Sequence, residues 1–155
     1  MRIEFSVHGE QVPQGSKTAQ VIFDRSGKPV WKGGRVLAVV RNASAKLRDW
    51  RQQIATVALE KMNGRDAFAG GVRLDVTFIR QRPKSHYGTG KNSAKLKDSA
   101  PSRHLQKPDR DKLGRAVADA MKGIVYADDS QIDGGEVAKQ WGARFETIII
   151  VETEE

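Results

Sequence analysis

The chain has 155 residues, 30% of them charged and 38% hydrophobic, with a formal net charge of +8 at pH 7 and no cysteine. That length supports one ordinary domain with a sizeable core, and the lack of cysteine excludes disulfides, thiolate zinc sites and cysteine nucleophiles. No apolar stretch approaches the roughly 20 residues of a membrane-spanning helix, and the alternating start MRIEFSVHGE lacks a secretory signal's apolar block, so a cytoplasmic protein is expected.

Ile3 to His8 alternates apolar and polar residues, which predicts a first strand. VIFDRSGKPVW sets two β-prone runs around the turn-rich DRSGKP, a hairpin with a longer loop, and GGRVLAVV adds a short apolar run of undecided type. From Ser44, SAKLRDWRQQIATVALEKMNG brings Leu47, Trp50, Ile54, Val57, Ala58 and Met62 to one helical face, with Asn63 and Gly64 as stop signals. GVRLDVTFIR then places Val72, Leu74, Val76 and Phe78 on one side of a strand and Arg73, Asp75 and Thr77 on the other.

A segment rich in turn residues, at about 81–107, follows without periodicity, and a loop that long inside a domain is functional or disordered. Leu113, Ala116, Val117, Ala120 and Met121 resume helical spacing, ending near Gly123. IVYADDSQI reads as a short strand entering a polar turn, and EVAKQWGARFETIIIVE as a final hairpin about Gly142. The expected fold is α+β: a single domain over 1–155, with two main helices packed on a mixed sheet.

Between Arg80 and Arg115 stand eleven Lys or Arg against three Asp, an excess equal to the net charge of the whole chain. Cations so concentrated suit the phosphates of a nucleic acid, where each contact releases condensed counterions. The candidates for DNA contact are Arg80, Arg82, Lys84, Lys91, Lys95, Lys97, Arg103, Lys107, Arg110 and Lys112. A solvated loop kept soluble by its charge is the plainer reading.

Other chemistry finds little support. GTGKNS lacks the glycine spacing and the Lys-Ser/Thr step of a phosphate-binding loop, and His8, His86 and His104 lack metal-ligand spacing. No nucleophile turn is present.

Carboxylates do stand out in this basic surrounding. Asp109 and Asp111 flank Arg110, and on extended backbone after Pro108 their side chains would share a side. Asp111 also suits the N-cap of a helix beginning at Lys112, which explains one aspartate but not both. Asp128 and Asp129 follow the helix; they are either turn residues or, if the segment doubles back beside the helix start, further oxygen ligands for a hard ion such as Mg²⁺. Asp111, Arg115 and Asp119 succeed one another at helical spacing, either as an exposed ion-pair stripe or with Arg115 as a cation near a scissile phosphate.

KPDRDKLGRAVADAMKGIVYADDSQI resembles the RusA family of Holliday junction resolvases, whose motif runs Pro-Asp-x-Asp-Asn-Leu-x-Lys-x-x-x-Asp-Ala-Leu and then Asp-Asp-x-Gln-Ile/Val. Asp109, Asp111, Leu113, Asp119, Ala120, Asp128, Asp129 and Gln131 match in type and order, while Lys112 replaces Asn and Arg115 replaces a catalytic Lys. The resemblance implies a RusA-like fold and a Mg²⁺-dependent endonuclease, with Mn²⁺ a possible substitute, active as a homodimer on four-way DNA. It implies catalytic roles for Asp109, Asp111, Asp129 and Arg115, with metal held by Asp109, Asp111 and Asp129 and with Asp128 beside them. Such a small resolvase would suit a phage and act in the host cytoplasm. The alternatives are a non-catalytic branched-DNA-binding protein and a nuclease preferring flaps or forks.

Overall fold

The computed structural model describes residues 1–15, 18–41 and 44–153. Its elements in chain order are β1 (Arg2–His8), β2 (Thr18–Val21), β3 (Trp31–Lys32), β4 (Arg35–Val36), β5 (Ala38–Arg41), α1 (Ala45–Met62), β6 (Val72–Gln81), α2 (Arg110–Met121), β7 (Ile132–Gly134), β8 (Val137–Gly142) and β9 (Glu146–Glu152).

The main sheet is organised around β6. β9 pairs antiparallel along one edge of it, with β1 antiparallel beyond, while β7 and β8 pair parallel along the other edge. Alternation then separates two faces. Ile3, Phe5 and Val7 of β1, Ile149 and Val151 of β9, and Val72, Leu74, Val76 and Phe78 of β6 are all buried on the side covered by the helices. Each such side chain contributes about 1.5–3 kcal/mol on full burial.

Helix α1 forms as its sequence predicts. The Ser44 hydroxyl accepts from the Leu47 N–H at 3.3 Å, and Asn63 closes the helix in the left-handed region. Leu47, Trp50, Ile54, Ala58 and Met62 are buried, Val57 is half-buried, and the Trp50 and Phe78 rings lie 6.3 Å apart. Helix α2 buries all five of the residues expected of it, and Gly114 lets it approach β8: a β-carbon there would sit 3.3 Å from Val137 Cγ2.

Three expectations need correction. The last two β-prone runs do not pair as a hairpin, because β8 and β9 lie on opposite sides of β6, joined across its end by Ala143–Phe145. Local sequence marks both runs as strands, but the long β6 offers each a separate edge. The run after α2 is no strand; it is a turn in which Gly123 N–H donates to Tyr126 O, with Val125 and Tyr126 buried. Helix α2 is capped by Asp109 and starts at Arg110, two residues before the expected start at Lys112.

The hairpin expected around DRSGKP is present, with Phe23 bridged to Pro29 and the Asp24 carboxylate accepting from the Ser26 and Lys28 N–H groups. GGRVLAVV supplies β4 and β5, which return to pair with β3 and β2. These strands hydrogen-bond among themselves and not with the main sheet.

Between β7 and β8, Gly135 lies at φ +121°, where a β-carbon would fall 1.9 Å from Leu74 O. Beside it, the Asp75 carboxylate accepts from the Glu136 N–H at 2.7 Å. Gly135→Ala is therefore expected to destabilise the fold by about 3 kcal/mol or more, read as a lower denaturant midpoint. A midpoint equal to the parent's would refute this backbone account.

Candidate active site

The Asp109 carboxylate accepts from the N–H of Asp111 at 2.9 Å and of Lys112 at 3.3 Å, satisfying donors that the first helical turn leaves free. Those bonds, with the Lys112 and Lys139 charges, hold it below the usual carboxylate range. Asp111 lies in the first turn, paired with Arg110 at 3.0 Å. The extended same-side arrangement anticipated for this pair is replaced by a cap and a helical residue.

This helix entry opens onto a cleft of about 830 Å³ lined by Glu10, Gln11, Pro13, Arg80, Leu105 to Lys112 and Lys139. Lys139 is the residue the sequence reading missed. Its ammonium donates to Gln106 O and Pro108 O, both at 2.8 Å, fastening the segment that delivers Asp109. The signal was available: Val137, Lys139 and Trp141 alternate on β8, which puts a lysine at an inward position. Gln11, also missed, is buried and donates to Ile79 O and Glu146 O, bridging β6 to β9.

The expected DNA-contacting cations divide by environment. Arg80 is buried, donating to Gln11 Oε1 at 2.9 Å and lying 4.9 Å from the Phe145 ring centre, so it organises the cleft floor. Burial pushes its pKa down. Arg82 stacks over Trp141 at 5.3 Å and donates to Pro101 O, while Lys97 donates to Ser85 O. The His86 and His104 rings also contact Trp141, at 5.0 and 4.2 Å, so the 81–107 segment is folded back upon β8. Lys84, Lys91, Lys95, Arg103, Lys107, Arg110 and Lys112 remain exposed.

The second carboxylate pair lies elsewhere. Asp128 caps a short 3-10 helix, Asp129–Gln131, and Gln131 returns the bond as acceptor from the Asp128 N–H. Gln131 Nε2 also donates to Phe68 O and Gly70 O, holding this segment near the start of β6. Lys122, just after α2, forms ion pairs with both Asp128 and Asp129, the latter at 3.5 Å. Tyr126 OH donates to Ala118 O, and burial first, then the Asp129 and Asp119 charges, push its pKa up.

The two pairs therefore stand at opposite ends of α2, whose twelve residues span about 18 Å. The segment after the helix turns at Gly123 and stays at that end. The expected convergence of Asp109, Asp111 and Asp129 within one chain is not observed, and among the described residues no three acidic or histidine side chains are grouped to hold a metal. The donors are hard carboxylate oxygens of the kind Mg²⁺ prefers; their separation, not their chemistry, prevents one chain from enclosing an ion with both pairs. Arg115 is exposed on α2, one turn beyond Asp111.

The family model described as Endodeoxyribonuclease RusA matches residues 26–152. The chain belongs to the RusA endodeoxyribonuclease family, whose members act on branched DNA junctions. It is also similar to the "Uncharacterized protein YqaN" of Bacillus subtilis (strain 168), at 33% identity over 140 residues covering 88% of this chain and 86% of that protein. The RusA motif thus begins at the helix entry with Asp109 and resumes beyond the helix exit with Asp128, and α2 is the spacer between its two halves.

Lys122 sets the electrostatics of the second half. Its ion pair with Asp128, aided by the Ser130 N–H, holds that carboxyl far below its ordinary value. Lys122→Gln should raise the Asp128 pKa toward about 3.9, followed by carboxyl ¹³C NMR titration. The sign follows from linkage: stability that the parent draws from ionised Asp128 is full above the ordinary carboxylate range and is lost as pH falls through the depressed value. An Asp128 titration unchanged by the substitution would refute this role for Lys122.

Proposed function

We propose that the chain is a Mg²⁺-dependent, structure-selective endodeoxyribonuclease that resolves four-way DNA junctions by paired phosphodiester hydrolysis, acting as a homodimer in the cytoplasm. Family membership supports the nuclease and its branched substrate. The observation that carries the finer reading is the placement of two carboxylate pairs at the two ends of one helix.

One copy holds each pair too far from the other to share an ion. A second copy, turned about a two-fold axis, can set its Asp128 and Asp129 against the first copy's Asp109 and Asp111, and the same operation creates a second, equivalent site. Two sites per dimer suit two symmetric cuts.

The chain's own residues then divide the work. The capping bonds keep Asp109 ionised and fixed, and Lys139 anchors the backbone that presents it. Arg115, exposed beyond Asp111, stabilises negative charge developing on the scissile phosphate; as a planar fork in place of the family's lysine, it does so with different geometry. The exposed lysines and arginines of 84–112 gather the backbone phosphates. Mg²⁺, or Mn²⁺ in its place, would supply a water of lowered pKa and positive charge at the leaving oxygen when held by Asp109, Asp111 and Asp129, with Asp128 alongside.

A second reading has its own support: Asp109 and Asp128 each cap a helix within the chain, so both have structural employment without any metal. It makes the protein a non-catalytic binder of branched DNA. Incubation with a synthetic four-way junction in Mg²⁺ or EDTA separates the two, with fork and flap substrates reporting preference.

On the nuclease reading, Asp129→Asn keeps junction binding and lowers cleavage at least a thousandfold, and Asp109→Asn does likewise. Mixing the two inactive proteins tests the shared site. Each mixed dimer would hold one intact site, built from the wild-type Asp109 of one copy and the wild-type Asp129 of the other, so nicking of single strands should return. Sites confined to one chain would give no rescue, and a parent protein inert in Mg²⁺ would leave the binder.

A further inference from the structure

The ribbon formed by residues 21–36 displays large apolar side chains to solvent. Phe23 is 59% exposed and Trp31 64%, with Val21 at 41%. Phe23 is opposite Pro29, and Trp31 lies two residues beyond Pro29, where it pairs with Val36 while Val21 pairs with Ala38. Phe23 and Trp31 thus stand on either side of the point where the chain divides between its two pairings, the Val30 N–H donating to Ile22 O and the Ile22 N–H to Leu37 O. Small two-stranded pairings are marginal in water, and among the described residues these share no ladder with the main sheet.

Its charge identifies what would cover it. Arg25, Lys28, Lys32 and Arg35 are exposed on the same ribbon, and its one carboxylate, Asp24, is occupied by the Ser26 hydroxyl and the Ser26 and Lys28 N–H groups. A second copy seated here about a two-fold axis would press this cationic ribbon against itself, since an isologous contact uses the same patch twice. A polyanion with flat apolar faces meets both demands, because unstacked bases lie on aromatic rings while their phosphates meet the cations.

We infer that the 21–36 ribbon is a second DNA-binding element, in which Phe23 and Trp31 stack on bases unstacked at the branch point. This rests on the branched-DNA reading of the active site and adds to it a means of distinguishing a junction from a duplex, which exposes no base faces. The family match begins at residue 26, so Phe23 precedes it and Trp31 lies within it.

The test uses a four-way junction with 2-aminopurine at the branch point and a linear duplex of the same length, both in EDTA. Stacking on the ribbon predicts that the parent quenches the probe. It predicts that the double variant Phe23→Ala/Trp31→Ala loses the quench and binds the junction about tenfold or more weakly, with duplex affinity and sedimentation coefficient unchanged. Trp31→Phe should keep most of the effect, since the ring and not the indole N–H is required. Three results would overturn the inference: junction affinity and emission equal to the parent's, an equal loss on duplex, or a change of oligomeric state marking the ribbon as a self-association surface. If the parent cuts junctions in Mg²⁺ while the double variant binds them as the parent does, the ribbon's role fails and the nuclease stands. A parent that neither binds nor cuts a junction removes both.

Discussion

The constraint on which the site depends is the rigidity of α2. Twelve residues of helix, with Leu113, Ala116, Val117, Ala120 and Met121 buried and Gly114 drawn close to β8, cannot bend to bring their two ends together. The helix fixes where Asp109 and Asp111 emerge at one end of β6 and where Asp128 and Asp129 emerge at the other. A spacer this stiff makes separation the ground state of a single chain. Under the proposed mechanism, chemistry that needs both pairs would draw the second pair from another copy of the chain.

The same rigidity explains how carboxylates persist in so basic a chain. Clustered anions raise one another's pKa unless donors or cations intervene. At the helix entry the intervening groups are backbone N–H dipoles, gathered where the helix macrodipole already favours negative charge. At the exit the intervening group is the Lys122 ammonium. One carboxylate of each pair, Asp109 at the entry and Asp128 at the exit, is thus held below the ordinary range by its own end of α2. A cation directed at the exit pair would compete there with a lysine carried on a flexible stem.

Much of this was legible in the sequence. Helix α1 was readable from cap to stop because Ser44, the apolar stripe and Asn63–Gly64 are local signals carried by adjacent residues. The motif also gave the identity of the acidic side chains. What the sequence could not express was partner choice at long range. The runs that became β8 and β9 look like a hairpin, and only the presence of a ten-residue β6 with two free edges separates them. Asp109 rather than Asp111 is the cap, two residues earlier, and residue type alone does not choose between them, since either aspartate suits that position. Convergence of the aspartates failed for a related reason: sequence shows spacing along a chain, and a straight helix converts that spacing into distance.

Charge was the property that sequence located best and interpreted least. The net excess falls within residues 80–115, yet burial removes Arg80 from the surface, and Arg82 and Lys97 are tied to carbonyl groups within the fold. Those three cations keep their charge but are fixed in place, so direct contact with a phosphate backbone falls to the exposed lysines and arginines around them. The 21–36 segment, by contrast, carries four exposed cations against a single carboxylate, Asp24, whose hydrogen bonds hold it in a turn. A branched substrate, which has several arms to hold, would meet cations on more than one element of the fold.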